Sequence, residues 1–262
     1  MRVSVVTVSL NQLQFIRENV SSVQSQSYPL IEQIIVDGAS TDGTREFLET
    51  LQPDSVRWVS EPDGGQSEAL NKGFRMARGD IIGWINSDDV LLPGAVEKVV
   101  EAFERHPEAV AVTGAIDIVD AEGHLLRNYP AHEYTADYLL NESYGINQAS
   151  TFFTRKALFE AGLIDESLHY SMDFDLFIKL AKIGPFVAID DRLAAFRLYE
   201  GTKTSESQGR FAAERMRIRR SYGGRLFSKA GRNDLYVRFT QPLKKSPFLV
   251  RLVRGLRGNK GV

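Results

Sequence analysis

The 262-residue chain contains no cysteine, so disulfides and thiolate metal sites are excluded. No segment approaches the roughly 20 apolar residues of a membrane-spanning helix. Residues 1–6 enter a strand-like run and lack the apolar region and cleavage site of a signal peptide. Gly-x-Gly-x-x-Gly is missing after the first predicted strand, and Gly-x-x-x-x-Gly-Lys-Ser/Thr is missing altogether. We therefore expect a cytoplasmic protein without a Rossmann dinucleotide site or a P-loop.

Charge is divided unevenly along the chain. Residues 1–209 carry 17 Lys/Arg against 32 Asp/Glu, whereas residues 210–262 carry 15 Lys/Arg against two acids. Aliphatic and basic residues alternate in segment 243–257, which is typical of an amphipathic helix at the inner face of an anionic membrane. The alternative is a helix that packs on its own domain or on a second copy in a homodimer. The acidic body and the missing recognition module argue against nucleic acid as a partner.

The first 105 residues alternate between strand and helix patterns four times. This alternation predicts an α/β fold with a mainly parallel sheet and right-handed crossovers. Later segments predict a β-hairpin, a helix with acids in its first turn, two further strands and a basic helix. These later segments are 109–128, 171–180, 186–189, 193–198 and 210–220.

Polar side chains follow each of the four predicted parallel strands where the strand ends. Ligands of open α/β sheets bind at this edge. The last strand ends in Asn86-Ser87-Asp88-Asp89. Two neighbouring carboxylates repel each other unless a cation or hydrogen-bond donors lie between them. The pair therefore predicts a metal, a sugar hydroxyl or both, and a solvated turn that caps the next helix is the alternative.

Five motifs in this order resemble family 2 glycosyltransferases of the GT-A fold, in particular those that build bacterial O-antigen and other surface polysaccharides. The motifs are residues 7–12 (TVSLNQ), 36–44 (VDGASTDGT), 61–67 (EPDGGQS), 69–73 (ALNKG) and 86–89 (NSDD). The resemblance spans about residues 3–205. It implies a Rossmann-like sheet flanked by helices, with a nucleotide-binding half (1–105), an acceptor-binding half (106–205) and a basic helical extension (206–262).

The resemblance also implies roles for individual residues. Thr7, Ser9 and Asp37 would contact the nucleotide base, and Asp63 and Lys72 would lie along the nucleotide and diphosphate. In the Asp-x-Asp element of the family, Asp88 would face the ribose or donor sugar and Asp89 would hold Mg²⁺ or Mn²⁺. Asp173 matches the family's catalytic base; helix capping is its alternative role, and Asp175 is a second candidate.

One position departs from the family pattern. Family members often carry a metal-ligating His after the last strand, where this chain has Tyr199. A neutral phenol is a poor ligand for such a cation.

The activity that the resemblance implies is inverting transfer of a sugar from a nucleotide-diphosphate sugar to a saccharide or lipid-linked acceptor in cell-surface polysaccharide biosynthesis. An inactive nucleotide-sugar-binding scaffold in a polysaccharide assembly complex is the alternative.

Overall fold

A computed structural model describes residues 1–52, 56–143 and 145–244, with side chains to residue 240. The chain divides into two compact units. The sheet unit comprises Met1–Ala136 and Gly145–Tyr199, and the helical unit comprises Asp137–Tyr144 and Glu200–Val262. Residues 245–257 of the predicted amphipathic segment lie outside the described residues. In the part of the chain that the structure describes, no helix has the length and apolar character needed to span a bilayer.

The sheet unit contains nine strands and six α-helices among its described residues. The sheet order is β3-β2-β1-β4-β8-β6-β9-β5, and β7 pairs with β6. The strands are β1 (Val3–Ser9), β2 (Ile31–Asp37), β3 (Val56–Ser60), β4 (Ile81–Asn86), β5 (Val90–Leu91), β6 (Ala111–Val119), β7 (Leu125–Tyr129), β8 (Thr151–Thr154) and β9 (Phe186–Arg197). The helices are α1 (Leu13–Gln24), α2 (Thr44–Glu49), α3 (Gln66–Met76), α4 (Ala95–Arg105), α5 (Arg155–Glu160) and α6 (Met172–Ile183).

The first four strands are parallel, and their register aligns the polar strand ends. Ser9 pairs with Asp37 across β1 and β2, and Asp37 pairs with Ser60 across β2 and β3. Val8 pairs with Asn86 across β1 and β4. The ends of these four strands therefore form one row at one edge of the sheet, as the strand–helix alternation predicted.

The second half of the sheet is mixed. β8 is antiparallel to both β4 and β6, whereas β9 runs parallel to β6. The mainly parallel sheet of the prediction thus describes the first four strands, and half of the eight strand pairings are antiparallel. The predicted hairpin within 109–128 is formed by β6 and β7. The two strands predicted after residue 185 are one continuous strand, β9, whose pairing with β6 shifts register between Thr113 and Ile116.

Helix α4 shows how sequence spacing builds the core. Val96, Val99, Val100 and Phe103 recur at helical spacing, and all four are buried against the sheet. Burial of each such side chain contributes about 1.5–3 kcal/mol relative to exposure. The apolar face of α4 is therefore built from residues that recur at helical spacing in the sequence.

The helical unit is centred on a buried ion cluster. Its helices are α7 (Lys203–Glu206), α8 (Gln208–Ser221) and α9 (Lys229–Lys244), with a π-helical turn at Tyr138–Glu142. Asp234 of α9 is fully buried. Its carboxylate accepts hydrogen bonds from Arg215 at 2.9 and 2.7 Å and forms an ion pair with Arg219. Arg219 also donates to the Leu140 carbonyl at 3.0 Å, so one acid holds α8, α9 and the turn together.

Replacement of Asp234 by alanine is expected to destabilise the helical unit by about 3–5 kcal/mol, because two buried guanidinium groups would lose their counter-charge. Chemical denaturation followed by circular dichroism measures this change. Glu206→Ala, which removes an exposed acid from the same unit, is the control and should change stability by less than about 0.5 kcal/mol. Equal unfolding midpoints for the two variants would contradict the prediction.

Candidate active site

The row of strand ends includes a buried hydroxyl that lacks a partner. Ser9 Oγ is buried and makes no hydrogen bond to the residues that the structure describes. Beside it, the Gly38 N–H donates to the Ser9 carbonyl at 2.9 Å. A Cβ atom at residue 38 would lie 2.9 Å from Asp63 Oδ2, so a side chain there would have to displace the Asp63 carboxylate. An unsatisfied buried hydroxyl is costly, and a polar ligand at this edge would satisfy it.

Asp37 fixes the ends of β2 and β3. It is fully buried, and its carboxylate accepts the Ser40 N–H at 2.9 Å, the Ser40 hydroxyl and the Ser60 hydroxyl at 2.7 Å. Ser40 in turn accepts the Asn11 N–H at 2.7 Å. A carboxylate offers about four lone-pair sites, so Asp37 retains capacity for one further donor. Its contact with a nucleotide base stays a prediction.

Thr7 lies away from the edge, and its predicted contact with the base stays a prediction. It is fully buried, donates to Asn19 Oδ1 at 3.3 Å and accepts from Gln33 at 3.0 Å. Asn19 Nδ2 donates to the Asn86 and Asp89 carbonyls at 2.9 and 2.8 Å. Side chains alternate along a strand, so Thr7 and Ser9 share a face, but Thr7 lies two residues deeper. Thr7 supports Asn19, which holds the acidic turn.

The two acids of this turn have opposite environments. Asp89 is fully buried; its Oδ1 accepts the Arg197 N–H at 3.0 Å and its Oδ2 accepts Asn86 Nδ2 at 3.2 Å. Asp88 is only partly buried, and Tyr199 donates its hydroxyl to Asp88 Oδ2 at 3.4 Å. The predicted cation contact of Asp89 stays a prediction, and it would require the turn to rearrange because the carboxylate faces the interior in this structure. Asp88 is the carboxylate available to a ligand.

Burial raises the pKa values of the ionisable side chains at the acidic turn. Desolvation raises the pKa of Asp89 well above its usual value, and the nearby Asp88 charge raises it further. Desolvation also raises the pKa of Asp88. The pKa of Tyr199 is raised as well, first by burial and then by the Asp88 charge. Tyr199 therefore stays a neutral hydroxyl donor to Asp88.

The buried side chain of Arg197 holds the acidic turn in place, and the sequence did not predict this role of Arg197. Only 3% of its surface is exposed. Its Nε donates to the Asp88 carbonyl at 3.0 Å, Nη1 to the Ala121 carbonyl at 2.7 Å, and Nη2 to Glu18 at 2.6 Å. The guanidinium also lies 4.9 Å from the ring centre of Phe15. These partners are remote in sequence, so no local pattern could indicate the role.

Asn86 occupies the first acid position of the Asp-x-Asp element, and here the amide has a structural use. Its Oδ1 accepts from Gln66 at 2.9 Å and from Trp84 at 3.2 Å. Its Nδ2 donates to buried Asp89. An ionised carboxylate at this position could accept from the same two donors but could not donate to Asp89.

Replacement of Asn86 by aspartate is expected to lower the free energy of unfolding by about 1–3 kcal/mol, because Asp89 loses a donor and gains a like charge. Urea denaturation at neutral pH measures the change. Gln14→Glu makes the same amide-to-acid change at an exposed position of α1 and should be nearly neutral. A stability equal to that of the unmodified chain would show that Asn86 does not support Asp89.

The two acids of α6 also differ. Asp175 is buried and forms an ion pair with Lys179 at 2.7 Å. Asp173 is only partly buried, and its Oδ1 accepts the Phe174 N–H at 2.8 Å. Asp175 is therefore committed to its own helix. Asp173 is the better candidate base of the two.

The loop before α6 is tied to α3. Ser67 Oγ donates to the Leu168 carbonyl at 2.6 Å, and Asn71 Nδ2 donates to the Ile164 carbonyl at 2.9 Å. A Cβ atom at Gly65 would lie 4.0 Å from His169 Nδ1. These contacts hold the segment leading to Asp173 beside the first turn of α3, which follows Asp63.

Lys72 of α3 is paired rather than free. Its ammonium forms an ion pair with Glu61, and this hydrogen bond raises the pKa of Lys72. The predicted contact of Lys72 with a diphosphate stays a prediction, and it would require Lys72 to exchange Glu61 for phosphate.

A second acidic group lies in the turn between β6 and β7. Ligand atoms of Asp120, Glu122 and His124 lie within 4.8 Å of one another and could hold a metal ion. Asp120 Oδ1 already accepts the N–H groups of Glu122 and His124 at 3.1 and 2.8 Å. The cluster therefore closes the turn, and no functional role is assigned to it.

The fold and this edge define a GT-A sheet, and comparison with known proteins agrees. Residues 1–349 of Staphylococcus aureus TarS, solved with UDP-GlcNAc, match 91% of this chain and 70% of the TarS chain at 20% identity and a TM-score of 0.65. The mannosyltransferase PcManGT of Pyrobaculum calidifontis, solved with GDP-Man and Mn²⁺, matches 98% of this chain and 79% of its own at 19% identity and a TM-score of 0.63.

Sequence relatives identify the family. The profile described as glycosyl transferase family 2 matches residues 4–163. The chondroitin synthase of Escherichia coli is 30% identical over 206 residues, which cover 78% of this chain and 30% of that protein. An uncharacterized glycosyltransferase of Nostoc is 32% identical over 123 residues, 46% of this chain and 38% of the relative. The chain belongs to glycosyl transferase family 2, and it spans about a third of the length of these relatives.

Proposed function

We propose that this protein is an inverting glycosyltransferase that moves a sugar from a nucleotide-diphosphate sugar to a hydroxyl of a growing surface saccharide or lipid-linked acceptor. The observation that carries the proposal is the Asp88 carboxylate. It is partly exposed at the row of parallel strand ends. Arg197 donates a hydrogen bond to the backbone carbonyl of Asp88, and the Tyr199 hydroxyl donates to its carboxylate. Family membership, the UDP-GlcNAc and GDP-Man complexes of similar folds and the chondroitin synthase relative support the same chemistry.

The donor would lie along the edge of the sheet. Ser9, Asp37 and Asp63 would contact the nucleoside, with the unpartnered Ser9 hydroxyl as one hydrogen-bonding group. Lys72 and Asp88 would lie at the diphosphate. One carboxylate together with substrate phosphates is an ordinary donor set for Mg²⁺, so Asp88 fits a Mg²⁺ or Mn²⁺ ligand. Such a cation would act as a Lewis acid toward the charge that develops on the leaving diphosphate.

Asp173 would take the proton of the acceptor hydroxyl. The hydroxyl oxygen then forms a bond to the anomeric carbon while the bond from that carbon to the diphosphate oxygen breaks, and the electron pair leaves with the diphosphate. A single carboxylate base and in-line attack invert the anomeric centre. The contacts of α3 with residues 164–168 would hold this base near the donor edge.

A donor screen tests the proposal. The full chain is incubated with UDP-, GDP- and dTDP-sugars, an acceptor panel and Mn²⁺ or Mg²⁺, and product saccharides are followed by mass spectrometry. We expect transfer from at least one donor, with loss of activity in EDTA. Saturable nucleotide binding without transfer to any acceptor would instead support the inactive scaffold. The sequence feature that favours this alternative is Tyr199, which stands in place of a metal-ligating histidine.

We also propose that the helical unit contacts the inner face of an anionic membrane. Four of its large apolar side chains are exposed, and cationic side chains lie among them. The apolar residues are Leu226, Phe227, Tyr236 and Phe239, and the exposed cations are Arg225, Lys229, Arg232 and Arg238. Arg232 donates to the Phe227 carbonyl at 2.8 Å, which places a charge beside an exposed ring. These residues lie on α9 and in the turn just before it, and exposed aromatic residues beside basic ones are typical of interfacial attachment.

Vesicle flotation tests this contact. The full chain should float with phosphatidylcholine–phosphatidylglycerol vesicles, and a variant with Phe227→Ser, Tyr236→Ser and Phe239→Ser should not. The control replaces two exposed leucines of β7, Leu125→Ser and Leu126→Ser. Flotation equal in the two variants would reject the membrane contact. If only the first variant changes from dimer to monomer in sedimentation, a second copy of the chain covers this face instead.

A further inference from the structure

A basic groove lies at the edge of the sheet opposite the strand ends of the candidate active site. It surrounds Gly79 and Asp80, which precede β4, and Arg57 near the start of β3. β8 runs antiparallel to β4, and Ile81 pairs with Thr154, so the end of β8 and the start of α5 border the same groove. The groove is open and has a volume of about 890 Å³. Parallel strands place their two ends on opposite edges, so this groove and the donor edge are separate.

Positive charge is concentrated in this groove. Five cationic residues line it, against the single carboxylate of Asp80. The five are Arg57, Arg75, Arg78, Arg155 and Lys156. They are almost a third of the 17 cationic residues in the strongly acidic segment 1–209. Such a local reversal of charge attracts anions.

The cations fall into two groups. Arg57 donates to the Met76 carbonyl at 2.9 Å and pairs with Glu32 at 3.5 Å, and Arg155 donates to the Ala77 carbonyl at 3.3 Å. The carbonyls at the end of α3 therefore hold both arginines at the wall of the groove.

The other three cations are available. The side chains of Arg75, Arg78 and Lys156 are exposed, and none makes an ion pair or a hydrogen bond with a residue that the structure describes. The carboxylate of Asp80 accepts the Arg2 backbone N–H at 2.9 Å and pairs with none of them. The groove thus presents three unneutralised charges to one concave space.

We propose that this groove binds a diphosphate or polyphosphate group as a second anion site. A single carboxylate would leave most of the positive charge unmatched, whereas a diphosphate offers several negative oxygens to neighbouring cations. Arginine side chains bind phosphate through paired N–H donors. The volume lies within the range of sites that enclose discrete ligands, about 300–1,000 Å³. The phosphate could belong to a soluble compound or to a lipid headgroup.

Calorimetric titration with sodium pyrophosphate in EDTA tests the site, because removal of divalent cations weakens diphosphate binding at Asp88. We expect saturable binding to the full chain. The groove variant combines Arg75→Ala, Arg78→Ala and Lys156→Ala. It should bind pyrophosphate at least about 100-fold more weakly, because each of the three charge-assisted hydrogen bonds that it loses contributes to the affinity. The control variant, Arg45→Ala, Lys98→Ala and Arg105→Ala, removes the same charge elsewhere on the sheet unit and should retain binding.

Three results would overturn the proposal: no saturable binding, equal binding by the groove and control variants, or loss of binding in Asp88→Asn. A second titration with dioctanoylglycerol pyrophosphate, which carries the same diphosphate on a lipid, separates the two sources. If binding depends on the groove, tighter binding of the lipid than of pyrophosphate supports a headgroup ligand. Tighter binding of pyrophosphate supports a soluble one. Lipid binding that the groove variant retains counts against the headgroup.

Discussion

Replacement of Asp173 by asparagine is expected to lower kcat by about 100- to 10,000-fold, the usual contribution of a general base. The amide keeps the shape of the side chain but cannot take the proton of the acceptor hydroxyl. Asp173 is partly exposed in the first turn of α6, whereas Asp175 is buried and paired with Lys179. Donor affinity should stay unchanged, because the predicted donor contacts lie at the strand ends. Initial rates and calorimetric nucleotide binding measure the two effects.

Asp175→Asn is the matched control for this prediction. It removes a carboxylate two residues away that is buried and paired with Lys179 at 2.7 Å. This change should lower thermal stability and leave the kcat of the folded enzyme within a fewfold of its original value. If Asp175→Asn rather than Asp173→Asn abolishes transfer while both variants stay folded, the base has been assigned to the wrong acid.

The parallel half of the fold could be predicted because its signals are local. Each strand is a short buried run that ends in a polar turn, and each following helix shows apolar residues at helical spacing. β2 illustrates this, since its buried residues lead directly to Asp37. The second half was harder, because hairpin and crossover connections give similar apolar runs. The prediction placed two strands at 186–189 and 193–198, on either side of the charged residues Asp190, Asp191 and Arg192. These three residues are exposed, and the backbone of β9 continues through them.

Site residues could be predicted by position along the chain but not by the direction of their side chains. Thr7 and Ser9 share the same strand face, and only their depth from the edge separates a buried network from an accessible end. Asp88 and Asp89 are adjacent, and the local conformation of the backbone determines which of the two carboxylates is exposed. Arg197 fixes that choice through its N–H on Asp89 and its Nε on the Asp88 carbonyl. This decision depends on long-range contacts that a linear pattern does not contain.

Replacement of Asp88 by asparagine is expected to lower kcat/KM on the order of 1,000-fold, because a cation ligand at the leaving diphosphate contributes several kcal/mol to the transition state. The fold should be unaffected, since Asp88 is partly exposed and its backbone carbonyl, which accepts from Arg197, remains. Thermal shift with the nucleotide diphosphate gives a second readout. Mn²⁺ should enhance nucleotide binding in the unmodified chain and should have little effect in Asp88→Asn.

Asp89→Ala should have the opposite profile. Asp89 is fully buried and accepts from Arg197 and Asn86. Its loss leaves the buried Arg197 N–H and the half-buried Asn86 amide without this acceptor, and lowers stability by up to about 1–3 kcal/mol for each donor. At a temperature where this variant is still folded, Mn²⁺ should continue to enhance nucleotide binding, because Asp88 is present. If instead Asp89→Ala loses the Mn²⁺ effect and Asp88→Asn keeps it, the cation belongs to Asp89 and the turn must rearrange when the donor binds.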